Sequence, residues 1–404
     1  METNLSCEKA RQLLLAAVRP VDEESVALSL SGGRILARDL TAREDVPAFD
    51  RSPYDGFAVR AEDTAIATAD APVTLRILEE APAGAVPAWA VTAGAAVKVS
   101  TGTHIPQGAD AVIMYEKTQF NKDSVTINHP VKPGSNIVRA GEDIRRDSIL
   151  ARRGERIDPG LAGTLAAQGI AAPLVYRRPN VAILSTGSEL TEAGETPGPG
   201  QIRNSNRYML ETALTALGCE PQPLGIVGDR AEDIAACIQT ALDRWDALVI
   251  TGGVSAGEQD VTPEAMAMAG GEILFRGVDM KPGMACAYGV RAGKLLCGLS
   301  GNPASALTNF YAVAAPALRL LAGHRQPVPQ EFDVELLDGF EKKSRCPRFL
   351  RGQLVLKNGR AAMALSPKQG NVVLSSAIGC DMMAVIPAGN GSVPAGTVLK
   401  GFLL

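Results

Sequence analysis

The sequence predicts a multidomain chain of α/β plus β class, with a central parallel-sheet α/β domain and β-rich segments on either side. Three observations carry this. From Asn180 to about residue 325, compact apolar strands alternate with helix-period stretches, the pattern of a parallel sheet with helices on both faces. From about 73 to 140, and again after about 328, short strands follow one another with turns between them, as in small barrels or sandwiches. The 404 residues leave room for two to four domains of about 150 residues.

Taken in order, Ser6 caps a first helix that runs to about Val18. Ser25–Leu30 and Arg34–Leu40 alternate in polarity across Ser31-Gly32-Gly33 and predict a hairpin. Asp45–Asp50 and Ser52–Val59 read as extended, proline-punctuated chain. Strands are expected at Val73–Leu78, Ala96–Val99, Ala111–Tyr115 and Ser124–Ile127, with charge concentrated at 139–156. In the α/β stretch the strands are Val181–Leu184, Leu224–Val227, Ala247–Ile250 and Leu295–Leu299. Helices fall at Asn206–Leu217 and around Ile234–Leu242, the second capped by Asp229. After 328 come Phe349–Leu356, Ala361–Leu365, Met382–Ile386 and Thr397–Phe402, with Asn358-Gly359 as a hairpin turn.

Composition excludes several functions. Lys+Arg is 40 against Asp+Glu 44, so the net charge is -4 and a basic nucleic-acid binder is excluded. Aromatic residues at 4% argue against base-stacking platforms. No apolar run reaches the roughly 18 residues of a membrane helix. The run Leu13–Val18 lacks the features of a signal peptide, which predicts a cytoplasmic protein. The seven cysteines are scattered without a C-x-x-C pair, and there are only three histidines, so neither a disulfide framework nor a zinc site is expected. Any metal should be a hard cation held by oxygens.

Three apolar strands run directly into glycine- and serine-rich loops: Ser185-Thr186-Gly187-Ser188-Glu189, Thr251-Gly252-Gly253-Val254-Ser255 and Ser300-Gly301-Asn302-Pro303-Ala304-Ser305. Loops at the carboxyl ends of parallel strands form the ligand crevice. Glycines let backbone approach an anion, and N–H groups at the next helix start point at it. Pro303 suits the first turn of such a helix, with Asn302 as cap. One such loop is an ordinary tight turn; three in one domain point to a phosphate or similar ligand.

Asp55, Asp143, Glu189, Asp229 and Asp260 each sit in or just after a turn. Acidic groups beside an anion site are reconciled by a bridging Mg²⁺. Lys281, in Met280-Lys281-Pro282-Gly283, is a cation at a turn; Arg139, Arg351 and Lys368 are others, each of which reads by itself as solvent-facing.

At these residues the chain resembles the molybdopterin molybdenumtransferase family, MoeA in bacteria and the gephyrin E domain in animals. The resemblance is carried by 45–50 with 52–59, Ser100-Thr101-Gly102, Gly141-Glu142-Asp143-Ile144, 184–190, 201–207, 250–260, Lys281-Pro282-Gly283 and 298–306, in the family's order. After about 328 it rests on Arg351-Gly352, Gln369-Gly370 and Ser375-Ser376. It implies insertion of molybdate into adenylylated molybdopterin, with hydrolysis of the adenylate, release of AMP and use of Mg²⁺. It also implies an elongated homodimer. Its divisions would be a linking domain at 21–45 and 145–177, a β-rich domain at 46–144 that contributes to the partner's cleft, a Mog/MoaB-like α/β domain at 1–20 and 178–327, and a C-terminal β-barrel-like domain at 328–404.

The matching positions imply catalytic roles for Asp55, Thr101, Asp143, Glu189, Asp229, Asp260 and Lys281. Ser185, Thr186, Gly187, Asn206, Gly252, Gly253, Ser255, Gly301, Asn302, Pro303 and Ser305 would bind the pterin substrate. Molybdate would meet Lys281, Arg351, Ser375 and Ser376, and Mg²⁺ would meet Asp55, Asp143, Glu189 and Asp229. Protein partners would be the pterin adenylyltransferase and downstream cofactor carriers. The chain departs from the family at Met284, where a second lysine is common, at Ser300, where proline is common, and at Ser188. The competing readings are a pterin adenylyltransferase, a catalytically weakened pterin-binding scaffold and a tungstate-preferring paralogue.

Overall fold

The computed structural model describes residues 2–255 and 261–404. The chain forms two compact units. The first comprises Met1–Arg38, Arg153–Asp158 and Ala172–Leu404; the second comprises Asp39–Arg152 and Pro159–Ala171.

The first unit is built on a seven-stranded sheet. Its strands are β1 (Glu2–Leu5), β2 (Asn180–Thr186), β3 (Glu220–Val227), β4 (Ala247–Thr251), β5 (Glu272–Val278), β6 (Cys286–Arg291) and β7 (Lys294–Leu299), in the spatial order β1-β5-β6-β7-β4-β2-β3. The run β7-β4-β2-β3 is parallel throughout. Strand β6 is antiparallel to both of its neighbours, so the sheet is mixed where a parallel one was expected. The reason is local. Ala292 and Gly293 both take positive φ and make the tight reversal between β6 and β7 that a two-residue hairpin needs.

The helices are α1 (Cys7–Ala17), α2 (Ser205–Ala216), α3 (Ala231–Arg244), α4 (Thr262–Met268), α5 (Pro303–Asn309) and α6 (Ala315–Leu321), with a π turn at Phe310–Ala314 joining the last two. Ser6 accepts from the Lys9 N–H at 3.2 Å and starts α1, as the sequence suggests. Alternate residues of β2 and β4 are buried on opposite faces. Val181, Ile183, Ala247 and Val249 join α1, α2 and α6 in one core. Ala182, Leu184, Leu248 and Ile250 join α3 and α4 in another. Burial on both faces is why these strands read as unbroken apolar runs.

The carboxyl end of this unit is a closed barrel of β8 (Phe332–Leu336), β9 (Arg348–Lys357), β10 (Arg360–Leu365), β11 (Met382–Ile386) and β12 (Val398–Leu403). Asn358 and Gly359 both have positive φ at the β9–β10 turn, as the Asn-Gly pair predicts. Leu350, Met363, Met382 and Ala384 fill the barrel, while Phe349, Met383 and Phe402 face outward into the first α/β core.

The hairpin expected at Ser25–Leu40 is absent. Glu23–Ser25 pairs instead with Leu174–Tyr176, residues 28–30 form a 3-10 turn, and Leu40–Thr41 pairs with Ile149–Ala151 in the second unit. Each segment finds its partner more than a hundred residues away, which local alternation cannot reveal. Residues 56–127 of the second unit form one six-stranded sheet rather than a barrel or sandwich, in the order 111–114, 56–59, 95–99, 73–81, 124–127, 118–120. Gly56–Val59, expected only as part of an extended, proline-punctuated run, is a fully buried strand of that sheet. A Cβ at Gly56 would meet the Ile113 carbonyl oxygen, so only glycine fits there.

Candidate active site

Strands β2, β4 and β7 are neighbours in register, Ser185 opposite Thr251 and Thr251 opposite Leu299, so their loops emerge side by side. With the loop after β3 they enclose a cavity of about 800 Å³, a size suited to a small-molecule substrate. Of the residues expected at a site, it gathers Thr186, Gly187, Glu189, Asn206, Asp229, Gly252, Gly253, Ser255, Gly301, Asn302 and Pro303.

Glycine is required in these loops for two reasons. Gly252 has φ +102°, and a Cβ there would lie 2.6 Å from the Thr186 carbonyl oxygen. Gly187 has φ +142° and lies beneath the Glu189 carboxylate, which a Cβ would strike. The loops are also tied together. The Ser188 N–H donates to Asp229 Oδ2 at 3.1 Å, Thr186 Oγ1 donates to the Thr251 carbonyl at 3.2 Å, and Thr262 Oγ1 donates to the Gly252 carbonyl at 2.9 Å. Asp229 was expected to cap α3. That helix has no side-chain cap, and the Asp229 carboxylate turns to the neighbouring loop instead. Pro303 begins α5 with Asn302 in the N-cap position, but the Asn302 side chain makes no capping bond.

The remaining expected residues lie elsewhere. Ser185 is buried beneath the floor and donates to Asn204 Oδ1 at 3.2 Å. Ser305 is buried within α5. Lys281 is exposed and does not line the cavity; its backbone pairs with Pro347 and Phe349 of the barrel side. The turn it begins packs on α5, where Asn309 Nδ2 donates to the Gly283 carbonyl at 2.7 Å.

Arg351, read by itself as a solvent-facing cation and by the resemblance as a molybdate contact, is 0% exposed and does not line the cavity. Its Nε donates to Ser376 Oγ at 3.1 Å, Nη1 to Thr308 Oγ1 of α5 at 3.3 Å, and Nη2 to the Gly370 carbonyl at 3.4 Å. Burial with no carboxylate beside it pulls its pKa down. Ser376 is enclosed with it, and Ser375 is exposed.

In the second unit, Asp55 Oδ1 accepts from the Thr101 N–H at 2.7 Å and Thr101 Oγ1 at 3.4 Å, so those two form one exposed group. Asp143 is exposed on the turn that follows Gly141, its N–H on the Val46 carbonyl. Asp260 lies outside the described residues. Among the described residues no three His, Cys, Asp or Glu side chains are placed to hold a metal by themselves. No described helix is long and apolar enough to cross a membrane.

Residues 5–169 match the family model of the MoeA N-terminal region (domain I and II), and residues 182–320 match that of a probable molybdopterin binding domain. A molybdopterin molybdenumtransferase of Staphylococcus aureus strain Mu50 is 36% identical over 377 residues, 92% of this chain and 89% of that protein. The chain belongs to the molybdopterin molybdenumtransferase family. A Staphylococcus epidermidis relative of the same name is 33% identical over 405 residues, covering 99% and 96% of the two chains. The crystal structure of the molybdopterin biosynthesis MoeA protein from Pyrococcus horikoshii OT3 matches with a TM-score of 0.87 at 32% identity, over 99% of this chain and all of that one.

Sequence reasoning missed Asn204 in this molybdenumtransferase-family chain. It lines the cavity and is 1% exposed. Its Oδ1 accepts from the Arg207 N–H, capping α2, while its Nδ2 is buried without a partner. Asn206, which was expected, donates to the Gly301 carbonyl at 2.8 Å and leaves its Oδ1 buried and unpartnered. Two residues of the cavity lining therefore carry one orphan donor and one orphan acceptor, each atom itself enclosed. The signal available was Asn204's place one residue before a helix, which any capping asparagine would share. Ile202, Arg203 and Val372 also line the cavity. Val372 comes from the barrel, far from the glycine-rich motifs.

Proposed function

We propose that this chain inserts molybdate into adenylylated molybdopterin, with hydrolysis of the adenylate and release of AMP, as a step of molybdenum cofactor biosynthesis. The observation that carries this is the cavity at the ends of four adjacent parallel strands, with glycine-rich backbone, two carboxylates and an orphan amide pair at one place. An unpaired buried donor and acceptor cost about 1–3 kcal/mol each. A pterin edge carries the complementary acceptor and donor, and it would remove that cost once the two amides turn toward the cavity. Backbone N–H groups at the Gly252–Ser255 loop and at the start of α5 suit the phosphates.

Mg²⁺ fits the donor set. Glu189 and Asp229 both open on the cavity, and Mg²⁺ binds through one or two carboxylates plus substrate phosphates rather than in an all-protein cage. When bound it would neutralise phosphate charge and make the phosphorus more electrophilic. The chain's own residues bind and orient. Ser188 fixes Asp229, and Gly187 leaves room for Glu189.

The four-domain division, the homodimer, the delivery of Asp55, Thr101 and Asp143 to the cleft by a second copy, molybdate contacts at Lys281, Ser375 and Ser376, and cytoplasmic residence belong to this same reading. So do exchanges with a pterin adenylyltransferase and with cofactor carriers. Its test is AMP release from adenylylated molybdopterin and Mg²⁺ under anaerobic conditions, with no oxyanion, molybdate or tungstate. Oxyanion-dependent release that falls in Asp55→Asn and Glu189→Gln is expected. Tight pterin binding without release would replace the transferase reading by a scaffold, and no binding would overturn both.

A further inference from the structure

A second cavity, of about 260 Å³, opens at the other end of α2. The helix has 12 residues, so about 18 Å of helix separates it from the candidate active site. Its lining includes Arg34, Arg156, Arg177, Arg178 and His324, and no carboxylate.

The guanidiniums differ in what they already hold. Arg177 is fully engaged, with Nη1 and Nη2 each 2.6 Å from the Asp246 carboxylate. Arg34 uses Nη2 alone, on Glu24 and on the Tyr176 carbonyl. Arg178 uses Nη1 alone, on Glu220 at 2.9 Å. Arg156 lies along Gly33, where a Cβ would meet its Nη2 at 3.4 Å, and no described carboxylate lies within ion-pair distance of it. The imidazole of His324 hydrogen-bonds no described residue. Burial first, then Arg319 and Arg156, depress its pKa to about 4, so at neutral pH it offers a neutral N–H donor. The carbonyl end of α2 reaches the same cavity with about half a negative charge, less than the unmatched Arg156 supplies.

We propose that this cavity binds a tetrahedral oxyanion group, a phosphate, through Arg34, Arg156, Arg178 and His324. Guanidinium forks match phosphate oxygens in pairs, and the volume admits a phosphate. The group is either a free ion or the phosphate of a nucleotide. The site is separate from the pterin cavity, so it stands whether or not the transferase reading does.

The test is histidine-observed NMR of the full chain, which has only three histidines. His324→Gln assigns the signal, and His104 and His129, in the second unit, are internal controls. Sodium phosphate should move the His324 signal saturably, with chloride at matched ionic strength leaving it in place. Arg156→Ala, at an exposed position, should weaken the effect at least tenfold. Saturation by AMP below the phosphate concentration needed assigns a nucleotide phosphate; saturation by phosphate alone assigns the free ion. A His324 response to phosphate equal to that for chloride, or unchanged in Arg156→Ala, overturns the proposal.

Discussion

Alanine at Gly252 and alanine at Gly301 should separate what the cavity loops need for folding from what they need for binding. Gly252 holds φ +102°, and its new Cβ would sit 2.6 Å from the backbone oxygen of Thr186, an atom fixed in the β2 ladder. Backbone strain of about 1–3 kcal/mol and overpacking of about 1–3 kcal/mol sum to roughly 2–6 kcal/mol. For a domain of this size each kcal/mol lowers Tm by about 2–4 °C, so a fall of at least about 4 °C is expected. Gly301 has no positive φ, and a Cβ there would meet only the Gly252 Cα at 3.7 Å, an ordinary contact. Its methyl instead takes up cavity space. Gly301→Ala should melt with the wild type, within about 0.5 kcal/mol, and bind adenylylated molybdopterin at least tenfold more weakly. Calorimetry and anaerobic titration measure the two quantities. A Gly252→Ala variant as stable as the wild type would refute the strain argument. Wild-type binding by Gly301→Ala would show that the ligand does not reach these loops.

Three further outcomes follow from the geometry. Asn204→Ser keeps a hydroxyl acceptor able to cap α2 and removes the orphan amide donor, so unfolding should change by at most about 2 kcal/mol while pterin affinity falls about tenfold or more by titration. Arg351→Lys cannot reach Ser376, Thr308 and Gly370 together; Tm should drop by several degrees while pterin binding at the α/β loops persists. His324 has a folded pKa depressed from 6.5 to about 4, so between those values the unfolded chain binds the extra proton and stability is lost as pH falls. Urea midpoints measured from pH 7 to 4 should fall less steeply in His324→Gln.

The legible part of the site is the part that the backbone alone dictates. Thr186-Gly187, Gly252-Gly253 and Gly301-Asn302 each follow a strand buried on both faces, and such strands can only end in one shared crevice. What stayed hidden depends on side-chain choice among neighbours distant in sequence. Asp229 had a helix to cap and a loop N–H to accept from, and packing decided for the loop. Arg351 looked like a surface cation because nothing in Phe349-Leu350-Arg351 shows that Thr308 and Ser376 close over it. Gly56–Val59 was legible as extended chain but not as a sheet strand, because Pro47, Pro53 and the Asp-Gly pair precede it and its partners at 95–99 and 111–114 lie well downstream.

The charges around the cavity make one last expectation that depends on sign rather than size. Among the described residues, Glu189 and Asp229 line it together with a single guanidinium, that of Arg203, whose Nε is held by the Glu195 carbonyl at 3.2 Å. Lys281 and Arg351 lie outside the lining. A ligand bearing phosphates therefore meets two carboxylates against one guanidinium, a net negative side-chain charge that Arg203 and the backbone dipoles only partly oppose. Unit charges 4 Å apart interact by about 1 kcal/mol in water and about 4 kcal/mol at the effective dielectric of a protein surface, and salt screens exposed pairs over roughly 10 Å at 0.1 M. Without a divalent ion, raising salt should therefore strengthen binding of adenylylated molybdopterin. With Mg²⁺ between carboxylate and phosphate the contact becomes attractive, and the same salt should weaken it. The reversal should vanish in the Glu189→Gln, Asp229→Asn double variant, which removes the carboxylates and leaves the backbone donors. Salt slopes of one sign with and without Mg²⁺ would mean that these two carboxylates do not face the ligand.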